Sequence, residues 1–404
     1  MKAVSVIEAR RLILKQAQGL QAETISIEAG LGRVLAKPVL ARRDQPPFPA
    51  SAMDGYAVRR SDLGQGETQL SVIGESAAGR GYSGTIGLGQ CIRIFTGAPV
   101  PSDCDQVIVQ ENVRREGQFA FLAADLTASR HIRPQGGDFL RGAVLLEAGE
   151  RLDPWRMSLA ASAGAGQLEV VRKPKVAVLS TGDELVEPGQ TPTGDQIFNS
   201  GSLALCALLE TWGAEPLRLH CAADRVEDIT AAVSSLDVDL ILTIGGASVG
   251  DHDLVKPALA ALGLSLHVQS IAVRPGKPTW FGVLADGRRA LGLPGNPASA
   301  LVCAQLFLQP FIRALLGQAA APDLESALLD SDLPALGTSG GPREHWSRAD
   351  LETRHGQVWV KPYNDQDSSL VTVFAKARVL MRQDANGLGL KRGDIVEILR
   401  LPRL

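Results

Sequence analysis

The sequence predicts a multidomain α/β protein, in which one doubly wound, parallel-sheet domain is joined to smaller β-rich domains. Its 404 residues exceed the size of one core, because hydrophobic cores stop growing near ~250–300 residues. Residues 57–146 consist of short apolar runs separated by glycine-rich turns, which is typical of a small barrel or sandwich. After residue 174, apolar strand patterns alternate with helical ones, and this indicates a parallel sheet with helices on both faces.

The composition is that of a soluble globular protein, with 45% hydrophobic and 21% charged residues. The net charge is -3, so the chain lacks the excess of basic residues with which proteins bind nucleic acid. The five cysteines show no CxxC pair, and we expect neither disulfides nor a zinc site. The apolar stretch 300–316 is interrupted by Gln305, Pro310 and Arg313, and we expect it to be too short and too polar for a bilayer. We therefore expect a cytoplasmic protein with no nucleic-acid or membrane partner.

In the first part of the chain, residues 4–18 carry the apolar spacing of a short amphipathic helix. The segment 42–58 contains Pro46, Pro47 and Pro49, which exclude a helix and suggest a linker into the β-rich unit. Residues 152–170 predict a helix that is followed by a strand.

The predicted α/β region begins with the strand at 174–180, and three loops follow its strand ends. Ligands of such sheets bind at the carboxyl ends of the strands. Those ends carry the polar loops 180–185, 245–253 and 293–299, which makes them the candidate active site. Residues 320–329 are expected to form a polar linker, and 330–404 a small β domain.

Two of these loops combine hydroxyl donors, glycines and carboxylates. Ser180, Thr181, Asp183 and Glu184 follow the first strand, and the loop 245–253 contributes Gly245, Gly246, Ser248, Asp251 and Asp253. Proteins usually hold Mg²⁺ with carboxylates and ligand phosphates. The alternative is that single carboxylates cap helices. Neither a P-loop nor a dinucleotide-binding fingerprint is present.

Two further segments are candidates for anion binding. In 293–299, Pro294 and Pro297 flank Gly295 and Asn296 just before a helix, and the free N–H groups of a helix N-terminus attract anions; a simple strand–helix connection is the equal alternative. Arg274 and Lys277 lie in a proline-rich turn, whose alternative is a solvated surface turn.

Together these motifs resemble the MoeA-type molybdopterin molybdenumtransferases, a family that includes the E domain of gephyrin. The matching segments are 46–58 (PPFPASAMDGYAV), 94–111, 133–142, 179–185, 245–253, 273–278 and 293–299. The related molybdopterin adenylyltransferases share the strand-end motifs at 180–185 and 245–253 but lack the N-terminal ones. The complete set therefore favours the transferase.

The resemblance implies an elongated protein with a molybdopterin-binding (MogA-like) α/β domain. We expect a discontinuous N-terminal and dimerisation domain (1–45 and 142–174), an inserted β-rich domain (46–141), the α/β domain (175–320) and a C-terminal β-barrel (321–404). The implied reaction inserts molybdate into adenylylated molybdopterin with Mg²⁺-dependent release of AMP. The implied assembly is a homodimer, which a molybdopterin adenylyltransferase supplies with substrate.

The resemblance also implies roles for individual residues. The implied catalytic residues are Asp54, Thr96, Glu184, Asp224 and Asp253, with Glu184 and Asp253 at the metal. The implied substrate-binding residues are Arg133, Asp138, Ser180, Thr181, Asp183, Gly245, Gly246, Ser248, Asp251, Arg274, Lys277, Pro294, Gly295, Asn296, Pro297, Arg343, Arg348, Ser368 and Ser369. Three positions depart from the family pattern, namely Gly137, Arg274 and Arg378.

Two other functions fit parts of this pattern. A member of the family could serve as a non-catalytic scaffold, but Asp54, Thr96, Glu184 and Asp253 are intact. A nucleotide pyrophosphatase-type enzyme could share the strand-end loops, but the SAMDGYA and TGAPVP segments argue against it.

Overall fold

The computed structural model describes residues 3–123, 129–223, 225–245, 254–336, 342–385 and 387–402. Its centre is a six-stranded sheet within the predicted α/β region. From one edge to the other, the strands are Glu215–Arg218, Lys175–Ser180, Leu240–Ile244, Arg289–Leu293, Trp280–Val283 and Ser265–Val268. The first four run parallel. Their inner members are almost wholly apolar and buried, as expected for strands covered on both faces.

One strand departs from the predicted parallel sheet. Trp280–Val283 runs antiparallel to both of its neighbours. The cause is the short connection to Arg289–Leu293, where the Leu284 amide donates to the Arg288 carbonyl at 2.8 Å across an Asp-Gly turn. So short a loop permits only a hairpin, because a parallel connection needs a dozen or more residues.

Helices cover the faces of this sheet, and the N-terminal helix packs against them. The helices in this region are Ser200–Thr211, Val226–Ser234, Val255–Ala260 and the continuous segment Pro297–Leu315. The predicted N-terminal helix is confirmed at Val6–Leu14, and its buried residues join the same core. Ser5 caps that helix by accepting from the Glu8 amide at 3.2 Å.

The helix Pro297–Leu315 contains a π-helical turn at Ala304–Leu308. Pro310 has no N–H for the Leu306 carbonyl four residues earlier, and Arg10 Nε donates to that carbonyl at 3.0 Å instead. Within the described residues, this is the one helix long and apolar enough to cross a membrane, although 83% of its apolar window is buried in the core. The helix is longer than the apolar stretch 300–316 suggested, because it begins at Pro297, and it meets this criterion by length and composition alone. Its buried residues belong to the core of the α/β region.

The β-rich structure predicted for residues 57–146 is confirmed by a second six-stranded sheet. In spatial order its strands are Gln106–Val109, Gly55–Val58, Gln90–Ile94, Thr68–Ser76, Phe119–Leu122 and Val113–Glu116. Alongside it, three short antiparallel ladders pair Ala22–Ser26 with Gln167–Val171, Val39–Leu40 with Val144–Leu146, and Ala50–Ser51 with Ile132–Arg133. The helix Pro154–Ser162 begins at Asp153, whose side chain accepts from the Arg156 amide.

The C-terminal region forms a closed barrel. Its strands are Leu324–Leu329, Glu344–Arg354, Gln357–Pro362, Val379–Gln383 and Ile395–Arg400, and the pairing of the second with the fourth closes the ring. The helix Val371–Lys376 lies beside it. The expected polar linker at 320–329 was wrong, because Ala327 and Leu329 turn inward and Leu324–Leu329 is a barrel strand.

The barrel is joined to the α/β region by a sixth strand. Val273–Arg274 pairs in parallel with the start of Glu344–Arg354. This pairing brings the turn at 275–278 against the barrel. The four domain boundaries given above remain predictions.

Candidate functional site

The carboxyl ends of three parallel strands lie side by side. Ser180 is opposite Ile244, and Ile244 is opposite Leu293. The described residues that directly follow these strands, Thr181, Gly245 and Pro294, therefore meet at one edge, as the sequence predicts. They line an open cavity of about 660 Å³, which we call the sheet-edge cleft. Its walls include Ser180, Thr181, Gly182, Glu184, Asn199, Gly245, Pro294, Gly295, Asn296, Pro297 and Ser369.

Glu184 contributes the acidic group of this cleft. Its carboxylate folds back over Gly182, where an added Cβ would lie 2.4 Å from Glu184 Oε2. Gly182 also has a φ of +143°, a conformation that side chains rarely adopt. Position 182 therefore needs glycine for both reasons. Among the residues that the structure describes, the Glu184 side chain forms no hydrogen bond or ion pair, and its oxygens remain available to a ligand.

Ser180 is committed to the interior beneath the cleft. It is 1% exposed, and its hydroxyl donates to Asn199 Oδ1 at 3.1 Å. Ser202 donates to the same oxygen at 3.0 Å, and Arg218 Nε donates to the Ser202 hydroxyl. These bonds fix the strand end and occupy the Ser180 hydroxyl. Thr181 is only 6% exposed but also lines the cleft, and its hydroxyl has no hydrogen bond among the described residues.

The helix that begins after Asn296 lies where the sequence predicts it. Its first amide is missing because residue 297 is proline, and the amide of Ala298 donates to the Ser368 carbonyl at 3.1 Å. Asn296 Nδ2 also donates to the Ser368 hydroxyl at 2.8 Å. The C-terminal loop therefore occupies part of the predicted anion site, and Ser299 is the next residue with an amide in the first turn.

A second cavity of about 490 Å³ adjoins the cleft, and we call it the basic pocket. Pro278 borders both cavities. The walls of the basic pocket include Arg274, Lys277, Ser299, Arg343, His345 and Ser368. Three cationic side chains, the three hydroxyl groups of Ser299, Ser347 and Ser368 and the start of a helix thus surround one space, with Asp367 as the one acidic group among the described lining residues. Such a set of donors suits an oxyanion.

His345 is the titratable group inside this pocket. Partial burial, together with the neighbouring charges of Arg274 and Arg343, lowers the pKa of His345 to about 4. The imidazole is therefore neutral near pH 7.

Arg348 does not line this pocket with the other predicted basic residues. It is 1% exposed, and its guanidinium donates to the carbonyls of Asp367 and Leu370 and to Gln366 Oε1. Its charge therefore holds the loop that carries Ser368 and Ser369. In that loop Ser369 donates to Asp367 Oδ1 through both its amide and its hydroxyl, and these bonds lower the pKa of Asp367.

Asp54 and Thr96, predicted as a pair, are brought together in the β-rich sheet. Asp54 Oδ1 accepts from the Thr96 amide at 2.7 Å and from its hydroxyl at 2.8 Å. These bonds lower the pKa of Asp54, and the charge of Arg93 adds to the effect. Asp54 therefore stays ionised well below neutral pH.

Arg133 and Asp138 line a third cavity, of about 680 Å³, beside the same sheet. Its other walls include Arg43, Pro46, Pro47, Phe48 and Gly97, the residue that follows Thr96. We call it the proline pocket. No described residue between 46 and 141 lines the sheet-edge cleft. Within one chain, the structure thus does not place Asp54 and Thr96 in the same cavity as Glu184.

One of the two predicted magnesium ligands lies among the described residues. Of the predicted ligands, Glu184 lies in the sheet-edge cleft, whereas Asp253 lies outside the described residues. Between the gaps in the described ranges, no group of three or more His, Cys, Asp or Glu side chains could hold a metal. A single carboxylate fits Mg²⁺ when substrate phosphates complete its coordination.

Five predicted site residues lie outside the described residues, namely Asp224, Gly246, Ser248, Asp251 and Asp253. Asp183 is exposed next to Glu184. The roles of all the predicted site residues remain predictions. The sequence analysis missed Asn199 and His345, which have no motif of their own; only the proximity of His345 to Arg343 was a signal. It included Ser299 in the motif 293–299 but did not single it out.

Comparisons with known proteins agree along the whole chain. Residues 4–164 match the model of the MoeA N-terminal region (domain I and II), 177–314 that of a probable molybdopterin binding domain, and 333–401 that of the MoeA C-terminal region (domain IV). The molybdopterin molybdenumtransferase of Nostoc sp. is 38% identical over 74% of this chain and 70% of its own. That of Haemophilus influenzae is 35% identical over 94% of this chain and 93% of its own.

A solved structure gives the same result for the fold. The crystal structure of a molybdopterin biosynthesis MoeA protein from Pyrococcus horikoshii superposes with a TM-score of 0.84 at 30% identity and covers 100% of both chains. The resemblance noted in the sequence is thus confirmed over its full length. The chain belongs to the MoeA family of molybdopterin molybdenumtransferases.

Proposed function

We propose that this protein acts in molybdenum cofactor biosynthesis, where it inserts molybdate into adenylylated molybdopterin and releases AMP in a Mg²⁺-dependent reaction. The names of the relatives support the transfer of molybdenum to molybdopterin. The adenylylated form of the substrate, the role of Mg²⁺ and the release of AMP go beyond those names.

The observation that carries this proposal is the pair of adjoining cavities. The sheet-edge cleft presents the Thr181 hydroxyl, the Glu184 carboxylate and a glycine-containing loop. The basic pocket presents Arg274, Lys277 and Arg343. One site therefore offers room for an elongated phosphate ester beside a place for a small oxyanion, which is what the two substrates require.

In this arrangement the protein contributes binding and orientation rather than a nucleophile. The basic pocket would hold molybdate, and the loop of Pro294, Gly295, Asn296 and Pro297 would line the adjoining cleft beside it. The sheet-edge cleft would hold the pterin and its pyrophosphate. Holding two reactants in one geometry removes much of the entropic barrier to their reaction. Mg²⁺, held by Glu184 and Asp253 with the phosphate oxygens, would neutralise charge on the phosphate that leaves.

Asp54 and Thr96 belong to this site only if a second copy of the chain supplies them. We propose a homodimer in which the β-rich sheet of one copy faces the sheet-edge cleft of the other. Large exposed apolar side chains near the N-terminal ladders could form its interface. These side chains are Leu31, Leu40, Val144 and Trp155, the last of which is 83% exposed.

A mixing experiment tests the shared site. The Asp54→Ala and Glu184→Ala variants would each be inactive alone, but a mixed dimer would contain one intact site. Random exchange of subunits would restore about a quarter of the parental activity per dimer. Activity that stays absent in a mixture proven to contain mixed dimers would contradict the shared site.

The reaction itself is tested by the release of AMP from adenylylated molybdopterin. We expect release that needs both Mg²⁺ and molybdate and is lost in Glu184→Gln. Full turnover in the presence of a chelator would rule out the metal. A folded protein that releases no AMP would instead support the scaffold interpretation, and release without molybdate would support a pyrophosphatase. We further propose that the protein is cytoplasmic and that a molybdopterin adenylyltransferase supplies its substrate.

A further inference from the structure

The strand pairing that joins the barrel to the α/β region places an imidazole beside the cations of the basic pocket. Arg274 is paired with His345 in the parallel ladder, and Arg343 precedes His345 by two residues, directly before the start of its strand. Residues two apart along extended backbone face the same side. Arg343, His345 and Ser347 all line the basic pocket accordingly.

The position of His345 is not explained by a bond to any other residue that the structure describes. Among the described residues, neither ring nitrogen forms a hydrogen bond or an ion pair, and the side chain is half-buried in the pocket wall. A polar ring held in a pocket without an internal bond must be solvated or bonded to whatever fills the pocket.

The charges around this imidazole come from each element that packs against it. The strand Val273–Arg274 contributes Arg274, and the segment that carries His345 contributes Arg343 and Glu344. The strand Val379–Gln383, in which Gln383 is opposite His345, contributes Arg382. Two loops of the pocket contribute Lys277 and Asp367. Glu344 is engaged with Arg382 and with Trp346 Nε1. Asp367 is bonded to Ser369. The positive groups therefore dominate at His345, and burial together with Arg274 and Arg343 keeps its pKa near 4.

We propose that His345 takes up a proton when a tetrahedral oxyanion enters the basic pocket, so that binding of the oxyanion is coupled to pH. This inference rests on the proposed function, because it assumes that this pocket is the oxyanion site. A dianion bound between Arg274 and Lys277 offsets most of the positive charge that Arg274, Lys277 and Arg343 place around the pocket. The loss of this repulsion, together with the attraction of the anion, favours imidazolium over imidazole, and the imidazolium then donates a further charge-assisted hydrogen bond to the anion.

The sign of the effect follows from linkage. His345 is neutral in the empty pocket above about pH 4, and its pKa rises when the anion is bound. Between the two pKa values, the occupied site binds more protons than the empty site. The affinity for the oxyanion therefore increases as the pH falls, by up to about tenfold per pH unit.

Calorimetric titration of the full-length protein with molybdate alone tests this coupling. The titration is run in two buffers of different ionisation enthalpy, at several pH values between about 6 and 8.5. The difference between the two binding enthalpies at one pH gives the number of protons that the protein takes up when molybdate binds. We expect up to one proton, with the uptake increasing toward the acidic end. His345→Gln should remove the uptake and flatten the pH dependence. His267→Gln, which changes an exposed histidine of the same region, should behave like the parent.

Two further measurements separate the possible failures. Lys277→Ala should abolish or strongly weaken molybdate binding; unchanged binding would overturn the assignment of the pocket and with it the proposed oxyanion site. Binding that depends on Lys277 but takes up no proton would overturn the role of His345 alone. Imidazole ¹⁵N shifts of the parent protein give the pKa of His345 without a substitution. We expect this pKa to rise on addition of molybdate, and an unchanged value would contradict the proposal.

Discussion

The carboxylate of Asp54 accepts two hydrogen bonds from a single residue, Thr96, at 2.7 Å from its amide and 2.8 Å from its hydroxyl. The two residues lie 42 positions apart and come from the two loops that flank the sheet strands Gly55–Val58 and Gln90–Ile94. The pair fixes both the orientation of the carboxylate and its ionisation, since these bonds lower the pKa of Asp54.

We expect Asp54→Ala to fold normally and to lose activity by about a hundredfold or more, as when a charged group at a reaction centre is removed. Activity assays and thermal melts of the same preparation measure the two effects. Asp105→Ala is the matched control, because Asp105 accepts from the Arg60 amide at 2.7 Å in the same sheet region. Unfolding of the Asp54 variant alone would mean that Asp54 is a structural cap.

Thr96→Val should shift the acid limb of the pH–activity profile to higher pH. The substitution removes the hydroxyl bond but keeps the amide, so that the pKa of Asp54 moves back toward its usual value. Thr96→Ser keeps both donors and should retain the parental profile. A profile that is identical in all three proteins would exclude Asp54 as the group whose ionisation limits activity.

Glu184→Gln should abolish turnover, because it removes a proposed metal ligand. The melting temperature should change little, because no described side chain forms a hydrogen bond or ion pair with this carboxylate. The control is Asp195→Asn, which removes an exposed charge from the same loop region. If the Asp195 variant lost as much activity as the Glu184 variant, the effect would be one of general electrostatics. Glu187→Gln should instead lower stability, since Glu187 forms an ion pair with Arg218.

Gly55→Ala should destabilise the β-rich sheet and displace the neighbouring Asp54. An added Cβ would lie 1.9 Å from the Ile108 carbonyl oxygen, which is backbone within the paired strand. Overpacking of this kind costs typically about 1–3 kcal/mol. Urea unfolding measures the loss. Gly66→Ala, where nothing lies within 4 Å of the added Cβ, is the control and should leave stability unchanged.

The ion pair of Arg172 with Asp239 should make stability depend on acid pH. The guanidinium donates twice to the carboxylate, at 2.8 and 2.7 Å, and the Lys175 amide donates to it at 2.8 Å. Burial opposes the ionisation of Asp239, but these bonds prevail and lower its pKa. The resulting stability is present above the unfolded-state pKa of ~3.9 and is lost as the pH falls through the lower folded-state value.

We expect Asp239→Asn to lower the free energy of unfolding by about 2 kcal/mol at neutral pH. This is less than the ~3–5 kcal/mol lost when one partner of a fully buried ion pair is removed. Denaturant unfolding at pH 7 and near pH 3 measures this. The difference between parent and variant should shrink at the lower pH, because the carboxylate of the unfolded parent, with a pKa of ~3.9, is then largely protonated and the ion pair stabilises the folded state less. A difference that grows toward low pH would contradict the assigned direction of the pKa shift.

The α/β region could be predicted because its buried strands are apolar throughout, and because parallel strands bring their carboxyl ends to one edge. Those two facts are enough to predict that the loops of Thr181, Gly245 and Pro294 meet, and the strand pairing confirms it. The direction of Trp280–Val283 could not be predicted from its own residues, since the turn that follows it decides the pairing.

The basic pocket shows what local patterns leave undetermined. Arg274 and His345 are 71 positions apart, and their contact depends on the pairing between two regions rather than on either segment. Arg348 and Trp346 face the interior because successive side chains of the strand Glu344–Arg354 alternate between its two faces. The sequence identified Arg348 as basic but could not show that its hydrogen bonds are already used within the protein.

The most direct test of the proposed function is the molybdenum content of the pterin product, measured against the AMP released from adenylylated molybdopterin. We predict one molybdenum atom in the pterin for each AMP released, in the parent and in Asp195→Asn, and neither product in Glu184→Gln. AMP released without molybdenum entering the pterin, in the presence of molybdate, would contradict the proposal that this site couples the two events.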